Sequence, residues 1–252
     1  MIKYVVIIPA RLKSTRLPNK PILKIKGKPL IYWTWKNCVK AFNAKKVYVA
    51  TDDNQIKTIC NEFNINVIMT SAKCKTGTDR IAEASKNRFK DHLIINVQGD
   101  EPFIKSSDLK KFLIFAKKNP HRVSNSFTKI INKKQYFSTN VPKVILNNKN
   151  KLIYMSRSPV PKSKKDIFNK SHKQICVYSF PYKILCKYYG RNKIKTKNEK
   201  IEDIEILRLI DNGENVNMLE LNDNIVSVDT KKDFMKAKKI FSKQYFKQNL
   251  KQ

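Results

Sequence analysis

Positive charge and hydroxyl groups crowd into one short stretch, Pro9-Ala10-Arg11-Leu12-Lys13-Ser14-Thr15-Arg16-Leu17-Pro18-Asn19-Lys20-Pro21. Convergent cations with free backbone donors are what a triphosphate requires. They bind it, and they stabilise the charge that develops on a pyrophosphate leaving group. The stretch lacks G-x-x-x-x-G-K-[ST] and is not a Walker A loop. A second stretch, Asn96-Val97-Gln98-Gly99-Asp100-Glu101-Pro102, places a carboxylate, Asp100, where it can hold a hard cation, and a glycine beside it lets substrate approach the backbone. Asp229, in Val226-Ser227-Val228-Asp229-Thr230, is a candidate partner. Two carboxylates plus phosphate oxygens are a common way to hold Mg2+. Asp229 is equally placed to be the N-cap of a helix starting near Lys231, and the two roles are compatible. In a third stretch, Lys75-Thr76-Gly77-Thr78-Asp79-Arg80, backbone N–H groups at a helix entrance can read a base edge or ribose. Thr78 or Asp79 is also an ordinary N-cap there.

These residues need elements that bring them together. β-Branched runs at Tyr4–Ile8, Lys46–Ala50, Asn66–Met69 and Leu93–Val97 alternate with helix-length segments at Leu30–Phe42, Asn54–Phe63 and Asp79–Arg88, which predicts an α/β fold with a doubly wound, mostly parallel sheet. Ligands of such sheets bind beyond the carboxyl ends of the strands, so the loops 9–20, 51–53, 70–78 and 98–102 are predicted to share one rim. From about Ser124 to Asn192 the pattern changes to strand-like pieces at Val141–Leu146, Lys151–Ser156 and Gln174–Phe180, separated by the polar stretch 162–173. This predicts an inserted antiparallel sheet subdomain at 124–192 between the core segments 1–123 and 193–242. A helix is expected over Glu199–Ile210, strands at Asn215–Leu221 and Ile225–Val228, a closing helix at Lys231–Phe241, and a frayed polar tail over 243–252.

The 252 residues are 41% hydrophobic, enough for a sizeable core. No run approaches the length of a membrane span, the start reads as a strand rather than a signal peptide, and a cytoplasmic location without membrane insertion is the expectation. Five scattered cysteines without a C-x-x-C pair suggest neither a zinc cluster nor a disulfide framework. The net charge of +33 raises nucleic-acid binding as a rival function. No specific nucleic-acid module accompanies it. Eight of the 53 basic residues are arginines, and five of those (Arg11, Arg16, Arg80, Arg157, Arg208) fall in conspicuous motifs, where a planar fork does what an ammonium cannot.

Together the motifs resemble the CMP-Kdo synthetase family, the 3-deoxy-manno-octulosonate (Kdo) cytidylyltransferases, which belong with the acylneuraminate cytidylyltransferases. The likeness runs nearly end to end through the three stretches above, Ile25-Lys26-Gly27-Lys28-Pro29-Leu30-Ile31, Val49-Ala50-Thr51-Asp52, Pro142-Lys143-Val144, Tyr154 to Pro161, Glu202 to Arg208 and Val228-Asp229-Thr230. The resemblance implies a nucleotide-diphospho-sugar transferase-like fold. It implies a homodimer contacting through the inserted sheet, and CTP-dependent activation of Kdo, a 2-keto-3-deoxy acid sugar, for lipopolysaccharide biosynthesis. In that picture Arg11, Arg16 and Lys20 hold the triphosphate, and Ala10, Thr76, Gly77 and Arg80 line the cytidine pocket. Asp100 and Asp229 carry Mg2+. Arg11, Lys20, Asp100 and Asp229 form the catalytic set. Gln98, Arg157, Gln174, Tyr178 and Glu205 face the sugar, with Arg157 suited to its carboxylate.

Two positions depart from the family pattern. Gln174 stands where a sugar-site histidine is usual, and Ile206 where a sugar-facing glutamine is common, with His172 as a possible substitute imidazole. Both changes fall on the acceptor side, so a modified Kdo or another ulosonic acid is the alternative substrate.

Overall fold

A computed structural model describes residues 2–165, 167–168, 170–222 and 227–249. Among the described residues eleven strands form: β1 (Tyr4–Ala10), β2 (Lys24–Ile25), β3 (Lys28–Pro29), β4 (Val47–Thr51), β5 (Asn66–Met69), β6 (Leu93–Val97), β7 (Val123–Lys129), β8 (Lys143–Leu146), β9 (Leu152–Ser156), β10 (His172–Pro181) and β11 (Val216–Glu220). The helices are α1 (Leu30–Ala41), α2 (Asn54–Glu62), α3 (Gly77–Ser85), α4 (Ser106–Lys118), α5 (Lys133–Phe137), α6 (Tyr182–Tyr188), α7 (Lys197–Glu202), α8 (Leu207–Ile210) and α9 (Lys231–Asn249).

The main sheet runs β11-β7-β10-β6-β1-β4-β5. Its central strands β1 and β6 are almost wholly buried, as continuous apolar runs covered on both faces must be. One face packs Val5, Ile7, Ile81 and Ile94 into a core with Phe180, Leu185 and Leu207. The other packs Val6, Ile8 and Ile95 against Ile31, Cys38 and Phe112. All neighbours are parallel except β10, which runs antiparallel to both β6 and β7. The doubly wound, mostly parallel sheet read from the sequence is the one observed.

The small antiparallel sheet is present as the β8–β9 hairpin, which joins the start of β10. It is continuous with the core sheet, because β7 and most of β10, both inside the segment 124–192, are main-sheet strands. Three other boundaries differ from expectation. The helix predicted over Glu199–Ile210 is two short helices, α7 and α8, broken at Asp203, which adopts a left-handed conformation (φ 49°). The closing helix α9 runs past Phe241 to Asn249, so the residues 243–249 predicted to fray are helical. Of the strand expected at Ile225–Val228, residues 225 and 226 lie outside the described set, and 227–228 are not in a strand.

Close packing at the rim of β1 constrains the chain. A Cβ on Gly99 would sit 2.9 Å from the Pro9 carbonyl oxygen, a backbone atom that cannot rotate away. Thr34 on α1 donates a hydrogen bond to the Gly99 carbonyl, and Asn37 donates to that of Pro102, so the loop has nowhere to retreat. Gly99→Ala is expected to cost about 1–3 kcal/mol, read as a lowered urea midpoint at unchanged slope.

Candidate active site

Beyond the carboxyl ends of β1 and β6 lies a cleft of about 730 Å³. Fourteen residues assigned to the site from sequence line it: Ala10, Arg11, Arg16, Lys20, Thr76, Gly77, Arg80, Gln98, Asp100, Arg157, Gln174, Tyr178, Glu205 and Asp229. β10 contributes because it is reversed. Its amino-terminal half reaches the same rim as the carboxyl ends of its neighbours.

At one end three distant chain segments meet. The Lys20 ammonium donates to Asp100 Oδ2 at 2.7 Å and to Asp229 Oδ1 at 3.1 Å, while Arg16 stands 3.3 Å from Asp229. A backbone hydrogen bond from Val228 N to the Asp100 carbonyl, 2.9 Å, fastens the two carboxylate-bearing loops together. Burial works against the charge of Lys20, but the carboxylates of Asp100 and Asp229 overcome it and raise the pKa. Burial likewise disfavours an ionised Asp229, yet Lys20 and Arg16 hold its pKa below the usual range. Next in chain, Glu101 is fully buried, accepts from the Ser227 hydroxyl at 2.7 Å and leaves Oε2 unpartnered. Burial first, then the charge of Asp100, pushes its pKa up to about 8.

Asp229 is not the cap of α9. Thr230 takes that role, with Asp233 N donating to its hydroxyl and Thr230 N donating back to the Asp233 carboxylate. The Asp229 carboxylate is thereby left for the cleft.

The entrance to α3 is more occupied than its sequence suggests. Thr76, rather than Thr78 or Asp79, caps the helix by accepting from Asp79 N. The N–H groups of Gly77 and Thr78 donate to the two oxygens of Glu205, at 3.1 and 2.8 Å. These backbone donors are consumed internally and are not free to meet a ligand. Glu205 serves as a second cap at the helix's positive end, not as an uncommitted carboxylate facing the sugar. Burial raises its pKa against the opposing pull of the Thr78 contacts. Arg80 is buried, bonded to Thr70 Oγ1 at 2.6 Å and paired with Asp52 at 3.2 Å.

Behind α3 sits Arg208, 2% exposed in its side chain, which bonds Glu199 at 2.6 and 2.7 Å, Asp79 at 2.7 Å and the Tyr188 carbonyl at 3.0 Å. The Tyr189 ring lies 4.5 Å from its guanidinium carbon.

On the acceptor side, Arg157 keeps its guanidinium on protein carbonyls. Nε donates to Glu202 O, and the terminal nitrogens donate to Thr139 and Asp203 carbonyls at 3.0 Å. It lines the cleft as a strut more than as an open anion fork. Gln174 donates to Asn125 Oδ1 and to the Tyr178 hydroxyl. Ile206 is a core residue, 1% exposed, and does not line the cleft. His172 does not line it either. Its ring packs edge-on against Phe127 at 5.0 Å, and burial lowers its pKa. Lys232 and Lys236, which the sequence motifs did not single out, both line the cleft. Their signal was their spacing of one helical turn just after Asp229.

Among the described residues no group of three or more His, Cys, Asp or Glu forms a metal cluster, and all five cysteines are free. No described helix is long and apolar enough to cross a membrane.

A mostly parallel sheet with a cleft beyond the carboxyl ends of its strands, cationic at one side and paired in carboxylates beside it, is the α/β architecture that takes ligands at that edge. The family model described as cytidylyltransferase matches residues 5–249, and the chain belongs to that family. The 3-deoxy-manno-octulosonate cytidylyltransferase of Fusobacterium nucleatum is 34% identical over 232 residues, covering 92% of this chain and 94% of that one. The protein of the same name from Zea mays is 33% identical over 234 residues, covering 91% and 78%. A solved CMP:2-keto-3-deoxy-manno-octonic acid synthetase complexed with CTP superposes with a TM-score of 0.86 at 30% identity, covering 96% of this chain and 99% of that one.

Removing Arg208 would strand two buried carboxylates. Arg208→Leu is expected to destabilise the protein by about 3–5 kcal/mol, measured by chemical denaturation. Arg208→Lys should recover only part of this, because an ammonium cannot make the forked contacts.

Proposed function

We propose that this protein transfers the cytidylyl group of CTP to Kdo in the cytoplasm, giving CMP-Kdo and pyrophosphate. The observation that carries the reading is the meeting of Arg16 and Lys20 with Asp100 and Asp229 in one cleft, in a chain similar over most of its length to Kdo cytidylyltransferases.

The anomeric hydroxyl oxygen of Kdo attacks the α-phosphorus of CTP. A P–O bond forms there, the bond to the bridging oxygen of the β-phosphate breaks, pyrophosphate leaves with its electron pair, and the proton of the attacking hydroxyl is released to solvent. Arg11, Arg16 and Lys20 bind the β- and γ-phosphates and stabilise the charge that accumulates on them. Ala10, Thr76, Gly77 and Arg80 bound the cytidine pocket. Gln98, Arg157, Gln174, Tyr178 and Glu205 form or brace the sugar wall.

Asp100 and Asp229 fit Mg2+ in chemistry: oxygen donors, both within hydrogen-bond reach of one cationic nitrogen, Lys20 Nζ. When bound, the ion would orient the reacting groups and neutralise phosphate charge. Burial opposes the charge of Asp229, but Lys20 and Arg16 outweigh it and hold the carboxylate below the usual range.

A pyrophosphate-release assay with each nucleoside triphosphate and a panel of 2-keto-3-deoxy sugars tests the reading. Release is expected with CTP and Kdo, and none with CTP and any such sugar overturns it. Asp229→Asn should lower kcat by roughly 100- to 1,000-fold, the scale of losing one electrostatic contact made in the transition state. Gln174 at the sugar wall favours the second reading, a modified Kdo or another ulosonic acid as acceptor, and higher kcat/KM for such a sugar in the same panel decides between them.

A homodimer is part of the proposal. Ile131, Phe137 and Ile153, in and beside the small antiparallel sheet, are 62%, 44% and 52% exposed, and apolar side chains left in water there suit burial against a second copy. Light scattering is expected to give the mass of two chains, and Ile153→Asp to raise the dimer dissociation constant at least about 10-fold. A monomeric wild type overturns this part.

A further inference from the structure

β10 carries Gln174 and Tyr178 into the cleft wall, and its pairing with β7 is interrupted there. Ile175 pairs with Ser126 and Tyr178 with Asn125, so Cys176 and Val177 bulge out of the ladder. A bulge leaves backbone carbonyls to be satisfied by something other than the neighbouring strand. Asn125, fully buried, does this with its side chain: Nδ2 donates to the Ile175 carbonyl at 3.0 Å and to the Val177 carbonyl at 2.7 Å.

Carbonyl oxygens only accept, so the orientation of the Asn125 amide is fixed, and its Oδ1 faces the other way. That oxygen accepts from Gln174 Nε2 at 3.2 Å. Turning the Gln174 amide over would set two oxygens against each other. The second N–H of Gln174 donates to the Tyr178 hydroxyl at 3.0 Å. Both amide protons are therefore used inside the protein, and no described residue donates to Gln174 Oε1, although Gln174 is only half-buried and lines the cleft.

We infer that Asn125 is a positioning residue that locks Gln174 with its amide oxygen toward the cleft, so that the sugar wall accepts a hydrogen bond at this point and selects an acceptor sugar bearing a hydroxyl or amino donor there. This rests on the sugar-activating reading above. A sugar without a donor at the facing carbon would desolvate Oε1 and leave it unpaired, which is how a polar site rejects an analogue lacking one group. A carboxylate or other acceptor at that carbon is repelled.

The test measures kcat/KM at saturating CTP for the parent sugar and its monodeoxy and monoamino analogues, with the wild type, Gln174→Met and Asn125→Ser. With the wild type, one deoxy analogue is expected to lose about 10- to 100-fold, mostly through the KM of the sugar. The amino analogue at that carbon should be accepted. Gln174→Met, which keeps length but has no acceptor oxygen, should shrink that one penalty to within about 3-fold while leaving the penalties at other carbons as they were. Asn125→Ser, which frees the Gln174 amide to turn over, should shrink the same penalty. If Asn125→Ser folds poorly, the Gln174→Met comparison decides alone. Equal penalties at every carbon in wild type and Gln174→Met overturn the inference while the functional reading stands. Failure of the wild type to use any sugar overturns both, and is recognised by the absence of pyrophosphate release.

Discussion

A guanidinium sealed from water between two carboxylates sets much of what surrounds it. Arg208 must be fully paired to be tolerated where it lies, and its partners belong to different parts of the chain: Asp79 on α3, Glu199 on α7, and the carbonyl of Tyr188 at the end of α6. Gly190 N donates to Asp79 as well, at 3.0 Å. The start of α3 is thereby pinned to the segment following β10. Arg208 also fixes what precedes it by three residues, because Glu205 then lies over the first N–H groups of α3. The entrance to α3 owes its shape to this ion network.

A second constraint acts at the phosphate end. Two carboxylates brought side by side repel, and in this cleft Lys20 stands between them while a backbone bond from Val228 to Asp100 holds their loops. The same ammonium belongs to the basic loop that would meet the triphosphate, so the loop and the acid pair are set in position by one contact.

The sequence disclosed the rim of the sheet well because that rim follows local rules. Apolar runs such as Leu93–Val97 declare a buried strand, and the polar residues just after it declare where a ligand meets it. All fourteen candidate residues consequently face one cleft. Long-range pairing was not legible. Nothing local in Val123–Lys129 or His172–Pro181 says that these strands enter the main sheet with opposite sense. The break at Asp203 depends on a left-handed residue that sequence periodicity passes over. Roles were blurred wherever a polar side chain had an internal partner unseen in sequence: Glu205 on the α3 N–H groups, Arg157 on three carbonyls, Thr230 taking the cap that Asp229 could have taken. Ile206 looked like a change in the sugar site and is a core residue.

The reversed strand β10 has a mechanical meaning. It lies between β6 and β7, hydrogen-bonded on both sides, and its first residues also hold the β8 hairpin. A single beam thus runs along the cleft wall from β6 to the β8 hairpin, and bending it would break ladder bonds on two flanks at once. The two ends of this wall are not jaws on a pivot. Outside the beam lies the irregular loop 11–19, whose Arg11 and Arg16 are exposed to solvent, so the ladder-bonded and the irregular parts of the cleft wall are separate pieces of chain.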